Sequence, residues 1–313
     1  MTAGRRLADH GHRVELFDKA RGPGGRTATR RSDDRSFDHG AQYFTVRDPD
    51  FADQVSRWQQ AGVVAEWQGR IAVAEQGIVT AKTDNPPRYV GVPAMNAMVK
   101  HLADGLSLYR STRIVESQHD GQHWQLTAEH GQRFDGYQGL IVAVPPLQAM
   151  PLIGADPELV RQVETVTMKP CWSVMVGFDK PLPIAADGLF CQHSALSWIA
   201  RNSSKPGRPA PEAWMLHATP EWSAQHLEED ADRIAEILLA ELFAITGCPS
   251  QTPDHLQAHR WRYSIAEQPL EQGCLWQPSV RLGVCGDWCA GSRVEGAFIS
   301  GRSLADRLIE QLG

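Results

Sequence analysis

The chain has no apolar run near the ~18 residues that a membrane-spanning helix requires, so the sequence offers no candidate span. It also lacks an excess of positive charge. Its formal net charge is −6, which supplies no bulk cationic field for nucleic acid or an anionic membrane surface. Residues 1–13 are polar and basic, without the apolar stretch of a secretory signal. The cytoplasm is the expected location. Cysteines are few: Cys171, Cys191, Cys248, Cys274, Cys285 and Cys289 are scattered through 313 residues, which argues against a disulfide scaffold. Cys285 and Cys289 stand close in GVCGDWCAGS, but no second pair and no histidine at ligand spacing accompany them, so no metal is expected. A Ser–His–Asp signature, internal repeats and low-complexity tracts are absent as well.

What is present is ordinary for a globular protein, with 42% hydrophobic and 22% charged residues. Ten tryptophans are many for this length and suit either a deep aromatic-lined cleft or core packing. Residues 2–10 read as the remainder of a helix. Residues 12–18 read as a strand, and residues 19–36 as a glycine- and arginine-rich loop. Phe51, Val55 and Trp58 fall at helical spacing within 50–61. Residues 92–105 read as a helix with Pro93 near its start and Gly105 past its end. From 106 to 144 strands alternate with HDGQ and EHGQ turns, and LIVAV (140–144) has the continuous apolar character of a strand buried on both faces. Strand-like runs at 171–179, 213–219 and 256–264 surround an acidic helix at 222–245. The segment 204–213 reads as a surface loop. A strand at 281–287 and a helix at 294–312 close the chain.

The stretch HRVELFDKARGPGGR (12–26) has the form of the second strand of a dinucleotide-binding unit, yet only MTAGRRLADHG precedes it. Asp18, at the end of that strand, can accept both hydroxyls of an adenosine ribose; an Asp there is also a common turn residue. Gly24 and Gly25 allow backbone to approach a pyrophosphate, and Arg21 and Arg26 supply charge-assisted bonds to it. A flexible basic loop has the same composition. In DHGAQYF (38–44), Gly40 permits close approach, Gln42 both donates and accepts, and Tyr43 and Phe44 can wall a planar ring. In GDWCAGSRVEGAFISG (286–301), Gly286 and Asp287 end a strand, and Glu295 and Gly296 open a helix. Its N-terminal amides could face a ring carbonyl that gains negative charge on reduction.

FDKARGPGGR, DHGAQYF and GDWCAGSRVEGAFISG resemble their counterparts in the bacterial renalase-like proteins of the FAD-dependent amine oxidase-like superfamily. LSWIARNSSKPGR (196–208) and HRWRYS (259–264) are similar to two further segments of that family, and the likeness runs from Thr2 onward. The resemblance implies an α/β protein: a Rossmann-like FAD-binding domain over 1–65, 92–150 and 275–313, with an inserted, mostly antiparallel β-sheet substrate domain over 66–91 and 151–274. Residues 12–18 and 281–287 are then expected in one sheet. The implied cofactor residues are Asp18, Lys19, Gly24, Gly25, Arg26, Gly40, Ala41, Gln42, Tyr43, Phe44, Ile114, Gly286, Asp287, Val294, Glu295, Gly296 and Ala297. The family pattern begins with a strand and a GxGxxG turn, so the chain is expected to start about 15 residues late, and FAD retention hinges on that segment.

The family's activity, as the resemblance implies it, is oxidation of the 2- and 6-dihydro isomers of NAD(P)H. Hydride passes to FAD and then to molecular oxygen, giving NAD(P)+ and hydrogen peroxide. The partner is a small dihydronicotinamide dinucleotide, with no nucleic acid and no membrane. An FAD-dependent amine oxidase or dehydrogenase, and a flavin-free truncated homologue, are the alternatives. Middle-domain candidates are Trp172, His217, His259, Arg260, Trp261 and Tyr263. Alternation along a strand puts His259, Trp261 and Tyr263 on one face. That face, with Gln42 and Tyr43, is expected to carry the chemistry.

Overall fold

The computed structural model describes residues 1–32, 34–154 and 156–313. Packing divides the chain into two bodies: Met1–Pro23, Val99–Met168 and Ile265–Gly313 form the first, and Gly24–Met98 and Lys169–Ser264 form the second.

The first body is mixed α/β. Ala3 and Leu7 share one stripe of the Thr2–Asp9 helix and bury against Ala305 and Leu308 of the closing helix, Val294–Leu312. The strand Glu15–Asp18 pairs in parallel with Ser107–Arg110. Leu140–Val142 pairs in parallel with Leu282–Val284, which also takes Leu275–Gln277 antiparallel. Residues 12–18 and 281–287 therefore lie in two separate sheets, unlike the single sheet expected. In a doubly wound sheet the strand leading into the first helix lies between them. Among the described residues no strand bridges the two pairs.

A three-stranded meander, Ile114–His119, Trp124–Ala128 and Arg133–Tyr137, turns where HDGQ and EHGQ were expected to turn it. Asp120 closes the first turn by accepting from Gln122 N and His123 N, each at 2.8 Å. The core of this body gathers Trp124, Val142, Leu282, Val284 and Trp288.

The second body is built on a seven-stranded, mostly antiparallel sheet. Its order is His255–Ala266, Met168–Phe178, Glu212–Ala218, Leu196–Arg201, Gly188–Cys191, Ile71–Glu75 and Ile78–Ala81. Met168–Phe178 is buried without alternation from Pro170 on, because both faces are covered. Trp172, Val174 and Val176 pack with Leu238 and Leu242 of the Ala231–Thr246 helix. Met175 on the opposite face packs with Phe37 and Met215.

The acidic helix expected at 222–245 is two helices, Pro220–Gln225 and Ala231–Thr246. Asp230 starts the second by accepting from Asp232 N and Arg233 N, so it cannot also continue the first. The helix expected over 92–105 is confined to Ala97–Ala103. The stretch 204–213 is not simply a surface loop, since Lys205 and Arg208 are buried at 2% and 9% exposure. Their charges point inward to a carboxylate described below.

Candidate functional site

In the second body, the turn after Phe37 carries Asp38, His39, Gly40, Ala41 and Gln42 inward, and all but Ala41 are buried. The turn is possible because residue 40 is glycine. A Cβ there would lie 2.0 Å from the Arg26 carbonyl oxygen, the same oxygen that accepts from Ala41 N at 2.7 Å. Close approach of two backbones therefore explains Gly40 without a ligand.

Asp38 is the hub. Its Oδ1 accepts from Thr29 Oγ1 at 2.6 Å and Met95 N at 3.1 Å, and its Oδ2 from Arg208 Nη2 at 2.7 Å and Lys205 Nζ at 3.3 Å. The side chains of Asp38, Lys205 and Arg208 have no exposure at all. Burial alone would raise the Asp38 pKa, but the two cations outweigh it and hold the carboxyl at about 2. Burial, with Arg208 nearby, brings Lys205 down to about 8.

Lys205 Nζ also donates to Gln42 Oε1 at 3.1 Å and to Asn202 Oδ1 at 2.9 Å. This fixes the Gln42 amide. Its Nε2 donates to the Asp38 carbonyl, to Gly40 O at 3.1 Å, and to His217 Nε2 at 3.3 Å, which must then carry a lone pair.

Around this hub lie three imidazoles. His39 stacks on Trp261, with ring centroids 5.1 Å apart, and meets His259 edge-on at 4.8 Å. Trp261 Nε1 and Ser173 Oγ both donate to the His39 carbonyl, at 2.8 and 2.7 Å. Burial depresses His39, His217 and His259 each to about 4, helped by His259 on His39, by Lys205 on His217 and by Arg30 on His259. All three are neutral at pH 7.

His259 and Trp261 turn toward His39, while Arg260 and Arg262 turn to Glu228, at 3.0 and 2.6 Å. Tyr263 is half-buried. Trp172 is core, with Nε1 donating to His226 O at 3.0 Å and the Arg260 guanidinium over its ring. Tyr43 joins Trp67 and Trp198 at ring distances of 6.4 and 5.3 Å. Phe44 turns away to stack on Tyr89 and pack against Phe51. Gly24 and Gly25 take φ of 145° and 52° in the turn after Pro23, and Arg26 Nη1 donates to Ser264 O at 2.8 Å.

In the first body, Asp18 Oδ1 accepts from Ala20 N at 2.9 Å, a turn-closing bond that leaves the other oxygen for a ligand. Lys19 reaches Gln148 at 3.1 Å, and Ile114 opens a meander strand, half-buried. Gly286 N donates to Ser300 Oγ at 3.0 Å, and Asp287 and Glu295 are buried. Val294 begins a 19-residue helix whose N-cap, Arg293, makes no side-chain cap bond. A Cβ on Gly296 would lie 1.9 Å from the Gly291 carbonyl oxygen, while Ala297 faces solvent and its N donates to Arg293 O.

Sequence reasoning missed Asp38, His39, Lys205 and Arg208 as a unit. Their signal was an acidic residue beside a glycine turn and a Lys/Arg pair in SKPGR, each of which reads as surface when taken alone.

The fold and these elements define a Rossmann-type α/β protein joined to a sheet-rich second body. Residues 1–58 match the NAD(P)-binding Rossmann-like domain, and residues 73–309 match the flavin containing amine oxidoreductase family. The chain belongs to the flavin-containing amine oxidoreductases. It is similar in fold to a protein provisionally assigned as a protoporphyrinogen oxidase from Exiguobacterium sp. 255-15, with a TM-score of 0.79, 11% identity, and coverage of 99% of this chain and 96% of that one. Cyclohexylamine oxidase from Brevibacterium oxydans IH-35A gives a TM-score of 0.77 at 11% identity, covering 99% and 96%. A putrescine oxidase variant gives 0.75 at 12%, covering 99% and 95%.

A flavin cofactor follows from the family, and residues of the first body fit one: the Asp18 carboxylate at a strand end, with one oxygen beyond its turn-closing bond, and the start of the Val294–Leu312 helix. Asp18→Ala is expected to weaken FAD retention by about 1–3 kcal/mol, the loss of charge-assisted hydrogen bonds. Equilibrium dialysis of released flavin measures this, and unchanged affinity removes Asp18 from the set.

Proposed function

We propose that the chain is a flavin-dependent oxidase of the 2- and 6-dihydro isomers of NAD(P)H, giving NAD(P)+ and hydrogen peroxide in the cytoplasm. FAD would supply the two-electron acceptor and pass the electrons to molecular oxygen. It would be held by Asp18, Lys19, Gly24, Gly25, Arg26, Gly40, Ala41, Gln42, Tyr43, Phe44, Ile114, Gly286, Asp287, Val294, Glu295, Gly296 and Ala297. The FAD-binding assignment covers 1–65, 92–150 and 275–313, and the substrate assignment covers 66–91 and 151–274.

The observation that carries the substrate class is charge. Two buried cations, Lys205 and Arg208, face one carboxylate, Asp38. The surplus positive field favours a phosphate-bearing substrate and opposes an ammonium group. Hydride transfer needs alignment and exclusion of water more than a proton donor. Neutral His39, His217 and His259 suit that need: they bond and stack without attracting hydration as ions would. Trp261 gives His39 a flat wall and locks its carbonyl, and Lys205 fixes which way the Gln42 amide faces.

An amine substrate is the second reading. The aromatic group of Tyr43, Trp67 and Trp198 favours it, since such rings attract cations. Two of the similar structures are named for oxidation of amines, putrescine and cyclohexylamine.

Stopped-flow reduction of the flavin by 6-dihydro-NAD, run against putrescine and cyclohexylamine, separates the two readings. Trp261→Ala is expected to slow reduction by the dinucleotide at least about tenfold, which is about 1.4 kcal/mol of barrier, and Tyr263→Phe to weaken its binding. Full rates and affinities in stable, flavin-loaded variants would remove this face from the chemistry. A purified protein without the yellow absorbance of flavin would point to the flavin-free alternative.

A further inference from the structure

Arg88 sits just before the Tyr89–Gly91 strand of the second body and is only 5% exposed. Its Nη1 reaches Asn85 Oδ1 at 3.4 Å and Pro86 O at 3.3 Å, both long for a hydrogen bond. Its Nε has no partner. No carboxylate among the described residues pairs with it. A guanidinium cannot shed its charge, so burying it without an anion is costly.

Aromatic faces offset part of that cost. The Arg88 Cζ stands 5.0 Å from the Tyr43 ring centroid and 5.9 Å from that of Phe190. The same two rings meet Trp198, at 5.3 and 4.7 Å. Trp198 is 7% exposed, and its indole Nε1 is a second buried donor with no acceptor. Lys205 Nζ adds positive charge 5.8 Å from the ring of Trp67, which itself neighbours Tyr43 and Trp198. Two orphaned donors, one of them a permanent cation, thus share a pair of half-buried rings. What the cluster lacks is an acceptor carrying negative charge.

We propose that Arg88 and Trp198 form a specificity subsite for the carboxylate or phosphate group of a substrate whose ring system lies against Phe190. This rests on the reading that residues 66–91 and 151–274 bind substrate, and it makes Arg88 the residue that selects anions over amines. The chemistry does not distinguish a carboxylate from a phosphate monoester, since the planar fork accommodates both.

Isothermal titration of the purified full chain with benzoate, phenyl phosphate, benzamide and benzylamine tests it. Benzoate or phenyl phosphate should bind at least tenfold more tightly than benzamide, and benzylamine more weakly still. The tighter of the two anions identifies the group. Arg88→Gln should abolish the preference for anions, and Arg88→Lys should keep part of it. Trp198→Phe retains a ring but loses the N–H, so it should weaken anion binding several-fold with an unchanged melting temperature. Anions bound no better than benzamide would overturn the subsite, as would a folded Arg88→Gln protein with unaltered anion affinity. If Arg88→Gln does not fold, an unaltered Trp198→Phe affinity overturns it. The heat of binding is read whether or not flavin is present. Anion selectivity in a colourless protein would therefore sink the oxidase reading alone, and a yellow protein blind to these anions would sink the subsite alone.

Discussion

Asp38→Asn is expected to cost about 3–5 kcal/mol of folding stability, the penalty for leaving a buried ion cluster without its anion. In the folded protein the carboxylate faces Lys205 and Arg208, and none of the three side chains is exposed. The amide keeps the shape and can still accept from Thr29, so the loss reports charge rather than packing. Lys205→Met should cost less, because Arg208 still holds Asp38 through Nη2 at 2.7 Å and Nε at 3.2 Å.

The deficit of Asp38→Asn should also shrink as pH rises. The Lys205 pKa is already lowered, to about 8, and without Asp38 it falls further. A group lowered on folding stabilises above its unfolded pKa, and that stability is lost as pH falls through the folded value. Urea denaturation at pH 7 and pH 9.5 measures both effects. An Asp38→Asn protein as stable as the parent at pH 7 would show the cluster to be energetically idle.

Acid should weaken the protein well before its carboxylates titrate. His39, His217 and His259 sit near pKa 4 in the fold, chiefly through burial, against about 6.5 in an unfolded chain. Their folded values are lowered, so the stability they confer is complete above pH 6.5 and is lost as pH falls toward 4. Allowing for the partial exposure of His259, the three together should remove about 2–4 kcal/mol between pH 6.5 and 4.5. Denaturant midpoints at pH 7.5, 6.5, 5.5 and 4.5 read this directly. His259→Gln and His217→Gln should each flatten the profile in that window. A parent whose stability is level from pH 7.5 to 4.5 would mean that water reaches these rings freely.

Much of the fold was legible because it rests on local patterns. The stripe of Phe51, Val55 and Trp58 gave the Pro49–Gln60 helix, where Asp48 accepts from Phe51 N at 2.9 Å. The turn chemistry of HDGQ and EHGQ gave the meander. Alternation along His255–Ala266 separated His259 and Trp261 from Arg260 and Arg262, and the opposite partners of those side chains follow from it. Errors arose where a local pattern had two readings. The periodicity of residues 222–245 runs on past 230, but a side chain that caps one helix interrupts the other.

The sequence by itself marked the Pro49–Gln60 helix, the turns of the meander and the alternation along His255–Ala266, because spacing and backbone preference act over a few residues. The tertiary structure alone decided which charges meet. Asp38 and Lys205 are 167 residues apart in the chain, and Asp38 and Arg208 are 170 apart. Nothing local marks any of the three as buried, since a lone Lys or Arg in a Pro- and Gly-rich stretch is ordinarily solvated. Only the packing of the Leu196–Arg201 and Glu212–Ala218 strands beside the turn at 38–42 removes water from all three at once. Desolvation then turns separate surface-type residues into an ion cluster, and neighbouring histidines into neutral groups, because the cost of an unpaired charge rises steeply where water is excluded.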